Sequence, residues 1–173
     1  MNTNYLSKPL IFVLAEEERL PAEVYGRLEK SFWPIAYLGK AHAFNITDYY
    51  AQEFGLRLYR HIVAFSGLMN PENLAEYKWI SYFIEKAFME GSSRKYNLDF
   101  GYLDADKLVL ASFKRGKNKI YLGNEIYADM LLEYAKGNFT ALPWAFPDFK
   151  DGRYHKDLLV VREKLKAQLR KCS

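Results

Sequence analysis

Residues Pro9-Leu-Ile-Phe-Val-Leu-Ala15 form an unbroken apolar run that stops at Glu16, Glu17 and Glu18. A run this short cannot cross a bilayer, which needs about 20 apolar residues. It has the length of a strand, and a strand without polar alternation must be covered on both faces. The run therefore predicts a central strand, and the rest of the chain has to be arranged around it.

The segments after Glu18 supply the covering elements. Pro21 to Phe32 carries Val24, Leu28 and Phe32 at helical spacing, with Pro21 where a first-turn proline is tolerated. Pro34 blocks continuation, and Ile35 to Phe44 reads as a second strand despite Gly39. Thr47 to Phe54 suits a short helix closed by Gly55, and Arg57 to Phe65 a strand with one buried face whose alternation slips near His61. The clearest helix starts at Asn70-Pro71 and runs towards Gly91, with Leu74, Tyr77, Ile80, Ile84, Ala87 and Phe88 on one stripe.

Beyond Asn97 the pattern turns strand-rich: Lys107 to Phe113, Lys119 to Leu122, Ile126 to Tyr134 and Phe139 to Leu142. Turn chemistry at 115–118, 123–124 and 136–138 joins these strands into an antiparallel meander. From Tyr154, the residues Leu158, Val161, Leu165 and Leu169 predict a closing amphipathic helix. The expected class is α+β, with a mixed, largely antiparallel sheet and helices mainly on one face. The preferred topology is a split βαβ, ferredoxin-like core with an added hairpin. At 173 residues, without repeat or linker, residues 1–173 read as one domain.

Charge and cysteine usage narrow the setting. From Lys150 onward there are eight Lys/Arg against three acids, a surplus of five, so this end more than accounts for the net charge of +4 and the rest of the chain is near neutral. Cations sit comfortably near a helix C-terminus, so this stretch reads as a solvated face and nucleic acid is disfavoured as a partner. The lone cysteine, Cys172, offers no internal bridge and the N-terminus lacks the pattern of a secretion signal, which predicts a cytoplasmic protein with no membrane partner. Aromatic residues make up 17% of the chain, enough to supply either a ligand groove or a patch for homo-oligomer formation.

Three segments join carboxylates to rings. In Thr47-Asp48-Tyr49-Tyr50, Thr47 can cap a helix with Asp48 in its positive first turn, a structural arrangement that could also form a pocket wall. In Asn97-Leu98-Asp99-Phe100-Gly101-Tyr102, an extended backbone would point Asn97 and Asp99 to one side, whereas a turn would use Gly101 at positive φ. Lys107 is a candidate charge partner for Asp99. In Leu142-Pro143-Trp144-Ala145-Phe146-Pro147-Asp148-Phe149, two prolines stiffen a loop that could stack Trp144 on a ligand or clip the last helix to the sheet. If the three segments converge, Asp48, Tyr49, Tyr50, Asn97, Asp99, Tyr102, Lys107, Trp144 and Asp148 would line a pocket for a polar, phosphate- or nucleotide-like small molecule. The alternative is a non-enzymatic, self-associating or protein-binding domain.

No metal site is expected, because His42, His61 and His155 are isolated and Cys172 has no partner ligand in sequence. Ser66, Ser92, Ser93 and Ser112 lie in no Gly-x-Ser-x-Gly elbow, and the sequence names neither a catalytic residue nor a cofactor. These stretches, with Lys107-Leu-Val-Leu-Ala-Ser112, Ile120-Tyr-Leu122 and Ile126-Tyr-Ala128, resemble an uncharacterised prokaryotic family, domain of unknown function 4416, from Lys8 to Leu169. Members of that family usually carry proline where Phe100 stands and tyrosine where Phe146 and Phe149 stand. The resemblance implies no activity. A loose GTP-binding label on some members finds no Gly-x-x-x-x-Gly-Lys-Ser/Thr loop here.

Overall fold

The computed structural model describes residues 5–46 and 57–172. Strand β1 (Lys8–Ala15) is the predicted apolar run, and all eight of its residues are buried. It lies between β4 (Leu58–Phe65) and β7 (Asn97–Leu103), antiparallel to both. Helix α1 (Ala22–Ser31) leads from β1 to β2 (Ile35–Leu38), which pairs with the far edge of β4. β1 and β2 are therefore parallel with β4 between them, which is the split βαβ arrangement. The second strand expected over Ile35 to Phe44 is broken into β2 and β3 (His42–Phe44), both paired with β4. Gly39 sits in the break, where a Cβ would come within 2.9 Å of Asp157 Oδ1.

After β4, Asn70 Oδ1 accepts from the Glu72 amide, a 3-10 turn covers Pro71–Asn73, and helix α2 (Leu74–Ala87) leads to β7. A two-residue hairpin, β5 (Met89–Glu90) with β6 (Ser93–Arg94), turns at Gly91 with φ +63°. The order β7-β1-β4-β2 is that of a ferredoxin-like core. What is added is larger than a hairpin. β8 (Lys107–Ser112), β10 (Ile126–Ala135) and β11 (Asn138–Ala141) extend the sheet beyond β7, and β9 (Ile120–Gly123) pairs with β10. Among the described residues, the main sheet has nine strands, and every strand pair in it is antiparallel.

Alternation along the strands divides the core in two. Ile11, Val13, Val63, Phe65, Leu98 and Phe100 face α1 and α2, through Val24, Leu28, Leu74 and Ile84. Leu10, Phe12, Ile62 and Leu110 face the opposite side, covered by α3 (Pro147–Lys150) and α4 (His155–Cys172) through Phe149, Leu158 and Val161. α1 and α2 share one face as expected, while α4 covers the other. This double cover is what the unalternated β1 run demands, at about 1.5–3 kcal/mol for each large side chain withdrawn from water. It also explains why β4 is buried on both faces, Arg60 and His61 included. Among the described residues, no helix is long and apolar enough to cross a membrane. The helix expected from Thr47 to Phe54 lies outside the described residues.

Candidate functional site

β7 has two unequal edges. It pairs with β1 along its whole length, but with β8 only from Gly101↔Leu110 to Leu103↔Leu108. At Gly101 the strands approach so closely that a Cβ would lie 2.3 Å from the Val109 carbonyl oxygen. Beyond that point β8 follows β10, reaching Ser112↔Tyr127, and the sheet forks. In the fork, Leu98 lacks β8 as a ladder partner. Its N–H instead donates to Glu85 Oε1 at 2.6 Å, and its carbonyl accepts from Lys78 Nζ at 2.8 Å. A carboxylate and an ammonium from α2 occupy the place of a neighbouring strand. Lys78, Ser81 and Glu85, at i, i+3 and i+7, are all buried on the helix face turned to the sheet. Burial raises the Glu85 carboxyl above its ordinary range, opposed by Lys78, the Leu98 amide and Arg94.

The network continues across β7. Arg94 Nη1 lies 3.4 Å from Glu85 Oε2 and donates to Asn97 Oδ1 at 2.9 Å, while Asn97 Nδ2 donates to Asp99 Oδ2 at 2.9 Å. Asp99 also lies 3.9 Å from Lys78 Nζ and 3.7 Å from Arg60 Nη1. Arg60, on β4, reaches Asp148 Oδ2 with Nε at 3.4 Å and covers the Phe44 ring at 4.9 Å. Asp148 begins α3 behind Pro147 and accepts from the Tyr154 hydroxyl at 2.8 Å. Burial, followed by the charge of and hydrogen bond to Asp148, raises the Tyr154 hydroxyl against the pull of Arg60 and keeps it protonated. Behind Tyr154, His42 Nε2 meets Asp157 Oδ2 at 2.8 Å, and Tyr37 donates to Asp157 Oδ1 at 2.6 Å.

A cavity of about 980 Å³ opens in the fork. One wall carries Arg60, Asn97, Asp99 and Asp148; the other carries Ser112, Lys119 and Asp129; and the basic loop after β8 contributes Lys114 and Arg115 at the rim. Among the described residues, seven lysines and arginines line it against four acids, with the rings of Phe44, Tyr82, Phe113 and Phe146 between them. Such a lining favours an anion with an apolar or planar portion. Lys119 joins Asp129 Oδ2 at 3.1 Å and donates to Ser112 Oγ at 3.0 Å. Among the described residues, no group of three or more His, Cys, Asp or Glu could hold a metal ion.

Of the residues singled out from sequence, Asn97, Asp99 and Asp148 line this one cavity. The segment that carries Asn97 and Asp99, 97–102, is strand throughout, and Gly101 has no positive φ. Tyr102 is three positions from Asp99, which on a strand puts it on the opposite face, where it packs in the α1/α2 core. Lys107 pairs with Asp104 rather than with Asp99. Trp144 is 42% exposed, lies away from the cavity lining and donates its ring N–H to the Met130 carbonyl, clipping the loop to β10. Asp48, Tyr49 and Tyr50 lie outside the described residues; Phe44 and Ile46, just before them, line the cavity. Sequence reasoning missed Arg60, Lys78, Glu85, Arg94, Lys119 and Asp129. Two features of the sequence point to them: an arginine inside an apolar strand, and four cations among the six residues from Lys114 to Lys119.

The search of curated proteins returned no match, and neither did the search of solved structures. The family model described as "Domain of unknown function (DUF4416)" matches residues 6–165, and the chain belongs to that family.

Proposed function

We propose that this domain binds a polar, phosphate-bearing small molecule in the forked cavity. The observation that carries this reading is the excess of cations around a 980 Å³ hollow that also presents ring faces. Its carboxylates Asp99, Asp148 and Glu85 each hold a lysine, arginine or tyrosine in place, so they serve to orient the cations that would meet the ligand. The test is thermal denaturation with pyrophosphate and AMP. A probe at a hundred times its dissociation constant stabilises by about 2.7 kcal/mol, which for a domain of this size raises the melting temperature by roughly 5–10 °C. The double variant Lys114→Gln/Arg115→Gln, at exposed rim positions, should lose most of that shift and keep its unliganded melting temperature. An unchanged shift in the double variant, or none in the native protein, overturns the reading.

A second reading, association with another copy of this chain, is supported by β9. Among the described strands it pairs only with β10, and Ile120, Tyr121 and Leu122 are 70%, 59% and 42% exposed on consecutive positions. Light scattering of the native protein and of Tyr121→Glu decides it: a dimer lost in the variant supports the reading, and a native monomer at high concentration removes it.

A further inference from the structure

We infer that Asp129 is a ligand-recognition residue of the cavity, and that the ligand carries a hydroxyl or amino hydrogen for it next to its phosphate, as a sugar phosphate or a nucleotide does. The inference rests on the proposed binding function and goes beyond it by naming the second recognition element. Asp129 lies on β10 opposite Leu110 of β8, lines the cavity and is 5% exposed. It differs from the other cavity acids. Glu85 accepts from the Leu98 amide and meets Arg94, Asp99 accepts from Asn97 and meets Arg60 and Lys78, and Asp148 accepts from Tyr154 and meets Arg60. In Asp129, Oδ2 is taken by Lys119, whereas Oδ1 has no hydrogen-bond partner among the described residues.

A buried carboxylate oxygen is normally satisfied by a donor, and its burial without one is retained where something else supplies it. The lysine already balances the charge of Asp129, and no cluster of further acids or histidines joins it among the described residues, so the missing partner is a hydrogen-bond donor and not a cation. Ser112, whose Oγ is bonded to the same Lys119, and the loop cations Lys114 and Arg115 line the same cavity, so a phosphate there would bring the adjoining carbon skeleton past Oδ1. A plain phosphate ester without hydroxyls would leave Oδ1 as it is. A phosphorylated polyol would satisfy it.

The test is calorimetric titration of the native protein with methyl phosphate, glycerol 3-phosphate and ribose 5-phosphate, each with EDTA and with added Mg²⁺. One additional hydrogen bond to a charged acceptor corresponds to roughly a tenfold gain in affinity, so the two hydroxylated probes should bind about tenfold more tightly than methyl phosphate. Comparing probes on the native chain needs no variant that might fail to fold. Asp129→Asn supplies the second arm: Lys119 keeps the amide oxygen, and the NH₂ group then replaces Oδ1, turning an acceptor into a donor. That variant should lose the tenfold preference and bind methyl phosphate at least as well as the native protein. If none of the three probes binds, the cavity is not a phosphate site and both readings fall. If all three bind equally, or the preference survives in Asp129→Asn, this inference alone fails. Binding that requires Mg²⁺ and disappears with EDTA would make Asp129 a cation ligand and overturn it as well.

Discussion

The two edges of β7 solve the same problem in opposite ways. Towards β1, seven register pairs run from Leu14↔Asn97 to Lys8↔Leu103, and backbone satisfies backbone. Towards β8 the ladder stops at Gly101, and Leu98 is served by a carboxylate and an ammonium from α2. A continued ladder would satisfy the same groups without removing charges from water, whereas burying ions carries a desolvation cost that their mutual attraction often fails to recover. The costlier solution stands where the cavity opens. If β8 closed onto β7 there, the strands would fill the hollow between them, so Glu85 and Lys78 hold the fork apart as much as they hold it together.

The largest expected effect comes from removing the substitute for the strand. Glu85→Ala leaves the Leu98 amide without its acceptor and strips Lys78 and Arg94 of a buried counter-charge, which should cost about 3–5 kcal/mol in urea unfolding. Glu85→Gln keeps an oxygen for the amide and should cost less than half as much. Equal and small losses for the two variants would show that the fork stands without this side chain. Gly101→Ala probes the apex. Its methyl group meets the Val109 carbonyl oxygen at 2.3 Å and Leu110 Cδ2 at 2.5 Å, so the strands must part at a cost of about 1–3 kcal/mol, with faster hydrogen exchange along the amides of β8. Gly26→Ala, in the middle of α1 with nothing within 4 Å of the new carbon, should go the other way and stabilise by roughly 0.5–1 kcal/mol. Similar signs at the two glycines would break the contrast.

The legibility of the two edges differs for the same reason. The β1 side was readable because a continuous apolar run and the α2 stripe are local patterns, and each states what it needs to be covered by. Asn97, Asp99 and Asp148 were readable as polar residues set among rings. The fork was not. Both β7 and β8 look like ordinary strands, and their separation depends on Leu98 meeting side chains 13 and 20 residues upstream. Nothing in the spacing of Lys78, Ser81 and Glu85 says that their stripe faces a gap in a sheet instead of water. Proximity to Asp99 suggests the pocket for Tyr102, whereas strand parity assigns it to the opposite face, where it packs. Lys107 pairs with Asp104, three residues before it across the turn to β8, and not with the more distant Asp99 that the sequence suggests.

The pH dependence of stability reads the charge on the fork directly. Burial raises the Glu85 carboxyl above its ordinary value of 4.5, with Asp99 on β7 adding to the rise and Lys78, the Leu98 amide and Arg94 opposing it. Between that ordinary value and the raised one, the folded protein therefore holds a proton that the unfolded chain has released. Stability falls with rising pH wherever the native state binds more protons, so the contribution of Glu85 is greatest below the ordinary value and is lost as pH climbs through the folded one. Asp151 and Glu163, whose carboxyls are held low by Arg153 and Lys166, act in the opposite sense but equally in native protein and variant. The difference in unfolding free energy between native protein and Glu85→Gln isolates the effect. It should shrink as pH rises above 4.5, by about 1.4 kcal/mol for each unit by which the carboxyl is raised, and then level off. A difference that grows with pH would mean that the cations outweigh burial, and the outer edge of β7 would then be held by a net favourable ion pair.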